Sequence, residues 1–196
     1  MNLPTLLTLL RIILGPIIAA LILWAANVMY ADPLLAGFIY ASCFILFALA
    51  ALTDWLDGWL ARKTGAVTPL GTALDHAADK VLVTCVLIAL AYAALPLNLV
   101  AAALILLGRD VAIAGLREGL AAQGGRLPVG GAGKWKAATA MAGVGAFLLF
   151  QTASLLRASA GWVLALSSTA QILLWIAAAL ALLSAVQYLA ALLRRD

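Results

Sequence analysis

The chain has 196 residues, of which 66% are hydrophobic and only 10% are charged. A soluble domain of this length cannot bury so much apolar side chain, so the composition excludes an ordinary soluble protein. The apolar runs are nearly continuous rather than alternating, which favours transmembrane helices over a transmembrane barrel. We therefore predict an all-α integral membrane protein, and the placement of its charges tells more than the net charge of +4.

Six apolar runs follow a short amphipathic segment, Met1 to Arg11, in the order of the chain. We predict spans at residues 12–29, 34–52, 73–94, 99–120, 134–156 and 168–193, with the second helix continuing to Arg62. Each run is long enough to cross a hydrocarbon core of about 30 Å at about 1.5 Å per residue. Cys43 and Cys85 lie within apolar runs and are interpreted as small core residues, not as a disulfide. The sequence indicates a single domain, 1–196, without internal repeats.

The basic residues fall almost entirely on one side of this six-span bundle. Six spans place both termini on the same side, together with eleven of the twelve lysines and arginines. Only Arg157 and, among the acids, Asp32 face the other side. Because loops rich in basic residues stay in the cytoplasm, we predict that the protein lies in a cell inner membrane with both termini and the active site on the cytoplasmic side.

Four of the eight acidic residues lie in one stretch between the second and third spans. Asp54 and Asp57 share a helix face with Gly58 and Arg62, and Asp75 and Asp79 share a face of the next helix. Two helix ends joined by a short turn can aim all four carboxylates at one place, where bare carboxylates would repel one another. Oxygen ligands predict one or two hard divalent cations there, Mg²⁺ or Mn²⁺. Structural pairing with nearby basic residues is the weaker alternative, because it requires no convergence of two acidic faces.

The spacing of this stretch resembles the signature of the CDP-alcohol phosphotransferase (phosphatidyltransferase) family. The pattern Asp-x2-Asp-Gly-x2-Ala-Arg-x8-Gly-x3-Asp-x3-Asp is filled at every position, from Asp54 to Asp79. Members have six transmembrane helices and move a phosphoalcohol from a CDP-linked donor to an acceptor hydroxyl, releasing CMP. The resemblance implies four metal ligands, Asp54, Asp57, Asp75 and Asp79, with Asp79 also acting as the general base. It further implies a site for the CDP part of the donor, formed by Pro4, Thr5, Thr8, Gly58, Arg62 and Thr68.

Further motifs resemble the phosphatidylglycerophosphate synthases, a group within this family that joins CDP-diacylglycerol to sn-glycerol 3-phosphate. These motifs are Asn2-x-Pro4-x-x-Leu-Thr8-x-x-Arg11, Gly108-Arg109-Asp110, Leu116-Arg117-Glu118 and Gly133-Lys134-x-Lys136. Arg109 and Arg117 fall at i and i+8 on one helix, and Lys134 and Lys136 open the next. A cationic pocket of these four side chains suits a phosphorylated acceptor, although each basic residue alone is also typical of a cytoplasmic helix end.

Three positions depart from that group and make the acceptor less certain than the reaction. His76 stands where proline is frequent, Ala137 where threonine is frequent, and Ala140 where glutamine is frequent. The same chemistry with inositol phosphate, serine or phosphatidylglycerol as acceptor is therefore an alternative. A divalent-metal transporter is an alternative of a different class, but it would spread its carboxylates through the membrane. We expect the two substrates, membrane lipid and a second copy of the chain in a homodimer as partners, and no nucleic acid.

Overall fold

The protein is a bundle of long helices. The computed structural model describes residues 3–64, 69–122 and 131–193, and within these ranges it contains six α-helices and no strand. The helices are α1 (Leu3–Val28), α2 (Pro33–Thr64), α3 (Pro69–Ala93), α4 (Leu97–Ala122), α5 (Gly131–Leu155) and α6 (Ala160–Leu193). The predicted all-α class is confirmed, as is the continuation of the second helix to Arg62.

Two boundaries differ from the prediction. The amphipathic segment is not a separate element, because α1 runs without interruption from Leu3 to Val28, through Pro16. The last helix begins at Ala160, well before the predicted Ser168. The polar residues near Ser168 lie inside the helix, where Gln171 Nε2 donates to Ser167 Oγ at 3.2 Å. Side-chain hydrogen bonds within one helix satisfy such residues without breaking it.

The turn between α5 and α6 is tight because its backbone closes on itself. Arg157 adopts a left-handed conformation with φ of 57°. The amide of Arg157 donates to the carbonyl of Ser154, and the amide of Ala158 donates to the carbonyl of Ala153. This pair of bonds ends a helix in a Schellman motif and satisfies its last carbonyls. The chain can therefore begin α6 only a few residues after α5 ends.

The turn between α1 and α2 uses a side chain instead. Asp32 Oδ1 accepts a hydrogen bond of 2.9 Å from the amide of Leu35, and Pro33 is the first residue of α2. An aspartate that caps a helix whose first residue is proline is a favourable helix start, because it satisfies an amide that the helix itself cannot. The break predicted between the first two spans, after residue 29 and before residue 34, is confirmed.

The helices approach one another closely where glycine replaces a side chain. A Cβ atom on Gly15 of α1 would lie 3.1 Å from Leu82 Cα of α3. A Cβ atom on Gly37, near the start of α2, would lie 2.7 Å from Leu156 Cδ2, just past the end of α5. Small residues permit such close packing between membrane helices. The second contact also shows that α2 and α5 run in opposite directions.

The outer surface of the bundle is apolar. Large side chains such as Ile13, Phe38, Leu104, Ile172 and Val186 are more than half exposed. Five helices are long and apolar enough to cross a membrane within the described residues, namely α1, α2, α4, α5 and α6. The protein is therefore a multi-pass membrane protein. The helix α3, which carries Asp75 and Asp79, is not among the five, so the count of six spans stays a prediction.

Candidate active site

A small cleft opens between the middle of α3, the middle of α4 and the second and third turns of α5. Its charged side chains are Asp79, Lys80, Asp110 and Lys136, and its apolar wall includes Val83, Leu106 and Ala140. The three helices thus bring residues that are distant in the sequence to one wall. The cleft brings together the predicted base, Asp79, and one predicted phosphate ligand, Lys136.

The carboxylate of Asp110 lies between two cations. Lys136 Nζ donates to Asp110 Oδ1 at 2.7 Å and to Oδ2 at 2.5 Å, and Arg109 Nη1 donates to Oδ1 at 2.9 Å. The side chain of Lys136 is 10% exposed, that of Arg109 is 11% exposed and that of Asp110 is 21% exposed. Charges with so little contact to water must be paired. One carboxylate balances only one of the two cations, so this group carries a net positive charge.

Two arginines of α4 are held by α6. Arg109 Nη2 donates to Ser184 Oγ at 2.8 Å, and Arg117 Nη2 donates to Tyr188 Oη at 2.7 Å. Both guanidinium groups also lie against the ring of Tyr188, at 5.6 Å and 5.4 Å from its centroid. The two helices run in the same direction here, because the earlier arginine meets the earlier α6 residue. The structure thus brings Arg109, Arg117 and Lys136 together, as predicted for a basic cluster.

Among the predicted donor-site residues, Thr8 is the one whose side chain is described. It is buried in α1, one turn before Arg11, which is only 1% exposed. A buried arginine at this end of α1 was part of the sequence motif, but no role was assigned to it. The structure describes only the backbones of four other predicted donor-site residues, namely Pro4 and Thr5 in α1 and Gly58 and Arg62 in α2. The last one, Thr68, lies outside the described residues.

The predicted metal site has the chemistry that Mg²⁺ requires, but most of it lies outside the described side chains. Asp54 and Asp57 belong to α2 and Asp75 to α3, and only Asp79 has a described side chain. Lys134 likewise belongs to α5 by its backbone alone. Among described side chains, no group of three or more His, Cys, Asp or Glu residues is placed to hold a metal ion. Four carboxylates fit a hard cation, so the site stays a prediction.

Sequence reasoning missed three participants. Asp110 was noted only as part of a motif, and Ser184 and Tyr188 were not noted at all. A signal was present, because Ser184 and Tyr188 are polar residues one turn apart in the mostly apolar second half of α6, and polar groups inside a membrane span usually have a partner. The partner was not predictable, since it depends on which helices are neighbours.

Comparison with known proteins identifies the family to which the sequence belongs. The sequence model of the family described as CDP-alcohol phosphatidyltransferase matches residues 1–183. The chain belongs to the CDP-alcohol phosphatidyltransferase family. The match confirms the resemblance that the aspartate motif predicted.

Curated members of the family are similar over different lengths. A CDP-diacylglycerol–glycerol-3-phosphate 3-phosphatidyltransferase of Pseudomonas fluorescens is 37% identical over 69% of this chain and 64% of its own length. A protein with the same name from Rickettsia bellii is 34% identical over 95% of this chain and 93% of its own. A cardiolipin synthase (CMP-forming) of rice is 34% identical over 74% and 46%. The alignments thus cover less than two thirds of the Pseudomonas and rice proteins but nearly all of the Rickettsia protein.

Proposed function

We propose that this protein transfers the phosphatidyl group of CDP-diacylglycerol to sn-glycerol 3-phosphate, forming phosphatidylglycerophosphate and CMP in phospholipid biosynthesis. The observation that carries the proposal is the basic cluster next to the cleft of Asp79: Lys136 lines that cleft, and Arg109 and Arg117 adjoin it through Asp110 and Tyr188. The names of the Pseudomonas and Rickettsia relatives support the same acceptor.

The charge of the cluster favours a phosphorylated acceptor over a neutral one. Arg109 and Lys136 share the single carboxylate of Asp110, and Arg117 has a tyrosine, not a carboxylate, as its partner among the described side chains. Arg109 Nε is buried and makes no hydrogen bond in the described part of the chain. Donors and charge are therefore left over for an anion, and guanidinium groups match the oxygens of a phosphate. An acceptor without net charge, such as serine, would leave that charge unbalanced.

The residues of this chain divide the reaction between them. The acceptor oxygen forms a bond to the phosphatidyl phosphorus as the bond from that phosphorus to the oxygen of CMP breaks, and the hydroxyl proton passes to Asp79. The basic cluster holds the acceptor phosphate, which fixes the distance between the hydroxyl and the phosphorus. Arg62 and Thr8 bind the CDP part. Two divalent cations on Asp54, Asp57, Asp75 and Asp79 would supply charge neutralisation of the pyrophosphate.

The direct test of this function is an acceptor screen on purified protein. CMP release from CDP-diacylglycerol is followed with glycerol 3-phosphate, inositol phosphate, serine, phosphatidylglycerol and no acceptor. We expect release with glycerol 3-phosphate and a product that carries two phosphates. Release with a different acceptor alone would reject the proposed acceptor and keep the reaction. No release with any acceptor, together with divalent-cation uptake into vesicles, would favour the transporter.

Truncation of one arginine should affect the acceptor alone. Arg117→Ala leaves the aspartates intact and removes a contact to the acceptor phosphate. We expect the KM for glycerol 3-phosphate to rise by about tenfold to a hundredfold, the scale of a lost charged hydrogen bond, with little change in the KM for CDP-diacylglycerol. Steady-state rates with each substrate varied at saturation of the other measure both constants.

The matched control for Arg117→Ala is Arg157→Ala. Arg157 is exposed in the turn between α5 and α6, at the other end of the bundle. Its replacement should leave both KM values unchanged. A variant at Arg117 that weakened the donor and spared the acceptor would show that the basic cluster belongs to the CDP part, and the acceptor site would have to lie elsewhere.

We further propose six spans in a cell inner membrane, with both termini and the active site on the cytoplasmic side. The end of α4 and the turn before α6 then lie on opposite sides, and Ala121 and Ser159 are exposed at these two places. In intact cells a membrane-impermeant maleimide should label S159C, whereas A121C should react only after permeabilisation. The parent protein, with Cys43 and Cys85, gives the background. Labelling of both positions from the same side would contradict the six-span arrangement.

A further inference from the structure

We propose that Ser184 and Tyr188 of α6 are positioning residues that set the acceptor affinity by holding the guanidinium groups of Arg109 and Arg117 in place. The inference rests on the proposed function, since it assigns the two arginines to the acceptor phosphate. It adds a second layer to that site, built from a helix that carries none of the family's aspartates. Ser184 and Tyr188 themselves contact the arginines and not the substrate.

The hydroxyl of Ser184 is oriented before it meets Arg109. Ser184 Oγ donates its proton to the carbonyl of Ala181 at 2.8 Å and accepts from Arg109 Nη2 at 2.8 Å. The side chain is 2% exposed, so water does not compete for either bond. Because its only proton points to its own helix, the hydroxyl offers lone pairs to the arginine. This is the polarity that a cation requires.

Tyr188 serves both arginines. Its hydroxyl accepts from Arg117 Nη2 at 2.7 Å, and its ring faces the guanidinium carbons of Arg109 and Arg117 at 5.6 Å and 5.4 Å. The residue is 5% exposed. An aromatic face attracts cations, and the attraction is greater where water is excluded. The ring of Tyr188 therefore keeps the two positively charged guanidinium groups close together, although they repel each other.

Holding the arginines in advance matters for binding. A free arginine side chain has many rotamers. A ligand that binds only one of them has a lower affinity, because binding must then offset the entropy lost when the side chain is ordered. Here each guanidinium is tied to α6 through its Nη2, and Arg109 Nη1 is also held by Asp110, so the donors that remain for a phosphate are mainly those of Arg117. Arg109 and Arg117 are then already in a conformation that can bind a phosphate. Positioning of the two arginines is thus a physical reason for a buried serine and a buried tyrosine one turn apart in a membrane helix.

Four variants separate the contributions. We expect Tyr188→Phe, which keeps the ring and loses the hydroxyl, to raise the KM for glycerol 3-phosphate about threefold to fivefold, and Tyr188→Leu, which loses both contacts, to raise it about tenfold to thirtyfold. Ser184→Ala should raise it about threefold to tenfold, and Ser184→Thr, which keeps a hydroxyl, should restore most of the affinity. The kcat and the KM for CDP-diacylglycerol should change by less than about twofold in all of them.

A double-mutant cycle tests whether Tyr188 acts through Arg117. In an Arg117→Ala background, Tyr188→Phe should cause no further rise in the acceptor KM, because the hydroxyl then has no arginine to hold. Tyr92→Phe and Ser168→Ala are the matched controls, since both residues are exposed and distant from the cluster. They should match the wild type in both KM values. Thermal unfolding of each variant, followed in the same detergent, confirms that it is folded.

The outcomes separate the two proposals. An unchanged acceptor KM in Tyr188→Leu, a raised donor KM, or full additivity with Arg117→Ala would overturn the inference while the wild type still uses glycerol 3-phosphate. A wild type that uses only another acceptor rejects the proposed function. The same variants are then assayed with that acceptor, where a raised KM for a phosphorylated compound supports the positioning role and an unchanged KM overturns it.

Discussion

Asp79→Asn should lower kcat by about 10² or more, the scale of general-base loss, while the protein still binds CDP-diacylglycerol. Asparagine keeps the shape and one oxygen of the side chain but cannot take the acceptor proton. Asp79 lies one turn, about 5.4 Å, beyond Asp75 along α3, and its side chain lines the cleft with Lys136 and Asp110. Pre-steady-state CMP release and direct donor binding measure the two effects separately.

Asp32→Asn is the matched control for this substitution. Asp32 is exposed and caps α2 at the opposite end of the bundle, a role in which asparagine is equally effective. Its replacement should leave turnover and stability unchanged. Retention of near wild-type turnover in Asp79→Asn would remove Asp79 from the role of base and leave it, at most, as a metal ligand.

Removal of divalent cations should abolish turnover. Four carboxylates that converge as the sequence predicts could not all stay ionised without a counter-charge, and their oxygens suit Mg²⁺ or Mn²⁺. We expect activity to fall to background in excess EDTA and to return when either ion is added back, with the rate following the free ion concentration. The assay is CMP release in chelator-treated buffers of defined free Mg²⁺.

The control for the metal experiment is the folded state of the protein in chelator. Thermal unfolding with and without EDTA shows whether the loss of turnover reflects a missing ion or a disrupted bundle. Rescue by Mg²⁺ of a protein that stayed folded supports a metal at the reacting groups. Full turnover in stringently metal-free buffer would reject the two-ion site.

Most of the fold was predictable because a bilayer leaves few choices for an apolar chain. Apolar runs of spanning length must become helices, and breaks such as Asp32-Pro33 fall where the sequence has a cap and a proline. The start of α6 was not predictable by hydropathy. Serines and a glutamine near Ser168 lower the local hydropathy, yet their hydrogen bonds are made within the helix, and the real turn depends on the backbone of Arg157.

The site was predictable to the extent that it follows a helical repeat. The aspartates and the arginines of α4 stand at spacings that place them on shared faces, so one sequence suffices to group them. The partners of those arginines could not be found in this way. Ser184 meets Arg109, and Tyr188 meets Arg117, only because α6 packs beside α4 in the same direction. Neighbour relations between helices are a property of the packed bundle and leave little trace in hydropathy.

The length of α6 determines the depth at which the proposed reaction takes place. Its 34 residues rise roughly 50 Å at about 1.5 Å each, against a hydrocarbon layer of about 30 Å. A helix that starts at one edge of that layer has crossed it by about its twentieth residue, and tilt extends this by only a few residues. In the proposed six-span arrangement Ser184 and Tyr188 would therefore lie at the cytoplasmic end of the span, near the head groups. The lipid donor can keep its acyl chains in the leaflet, and a water-soluble acceptor can reach the arginines without entering the hydrocarbon.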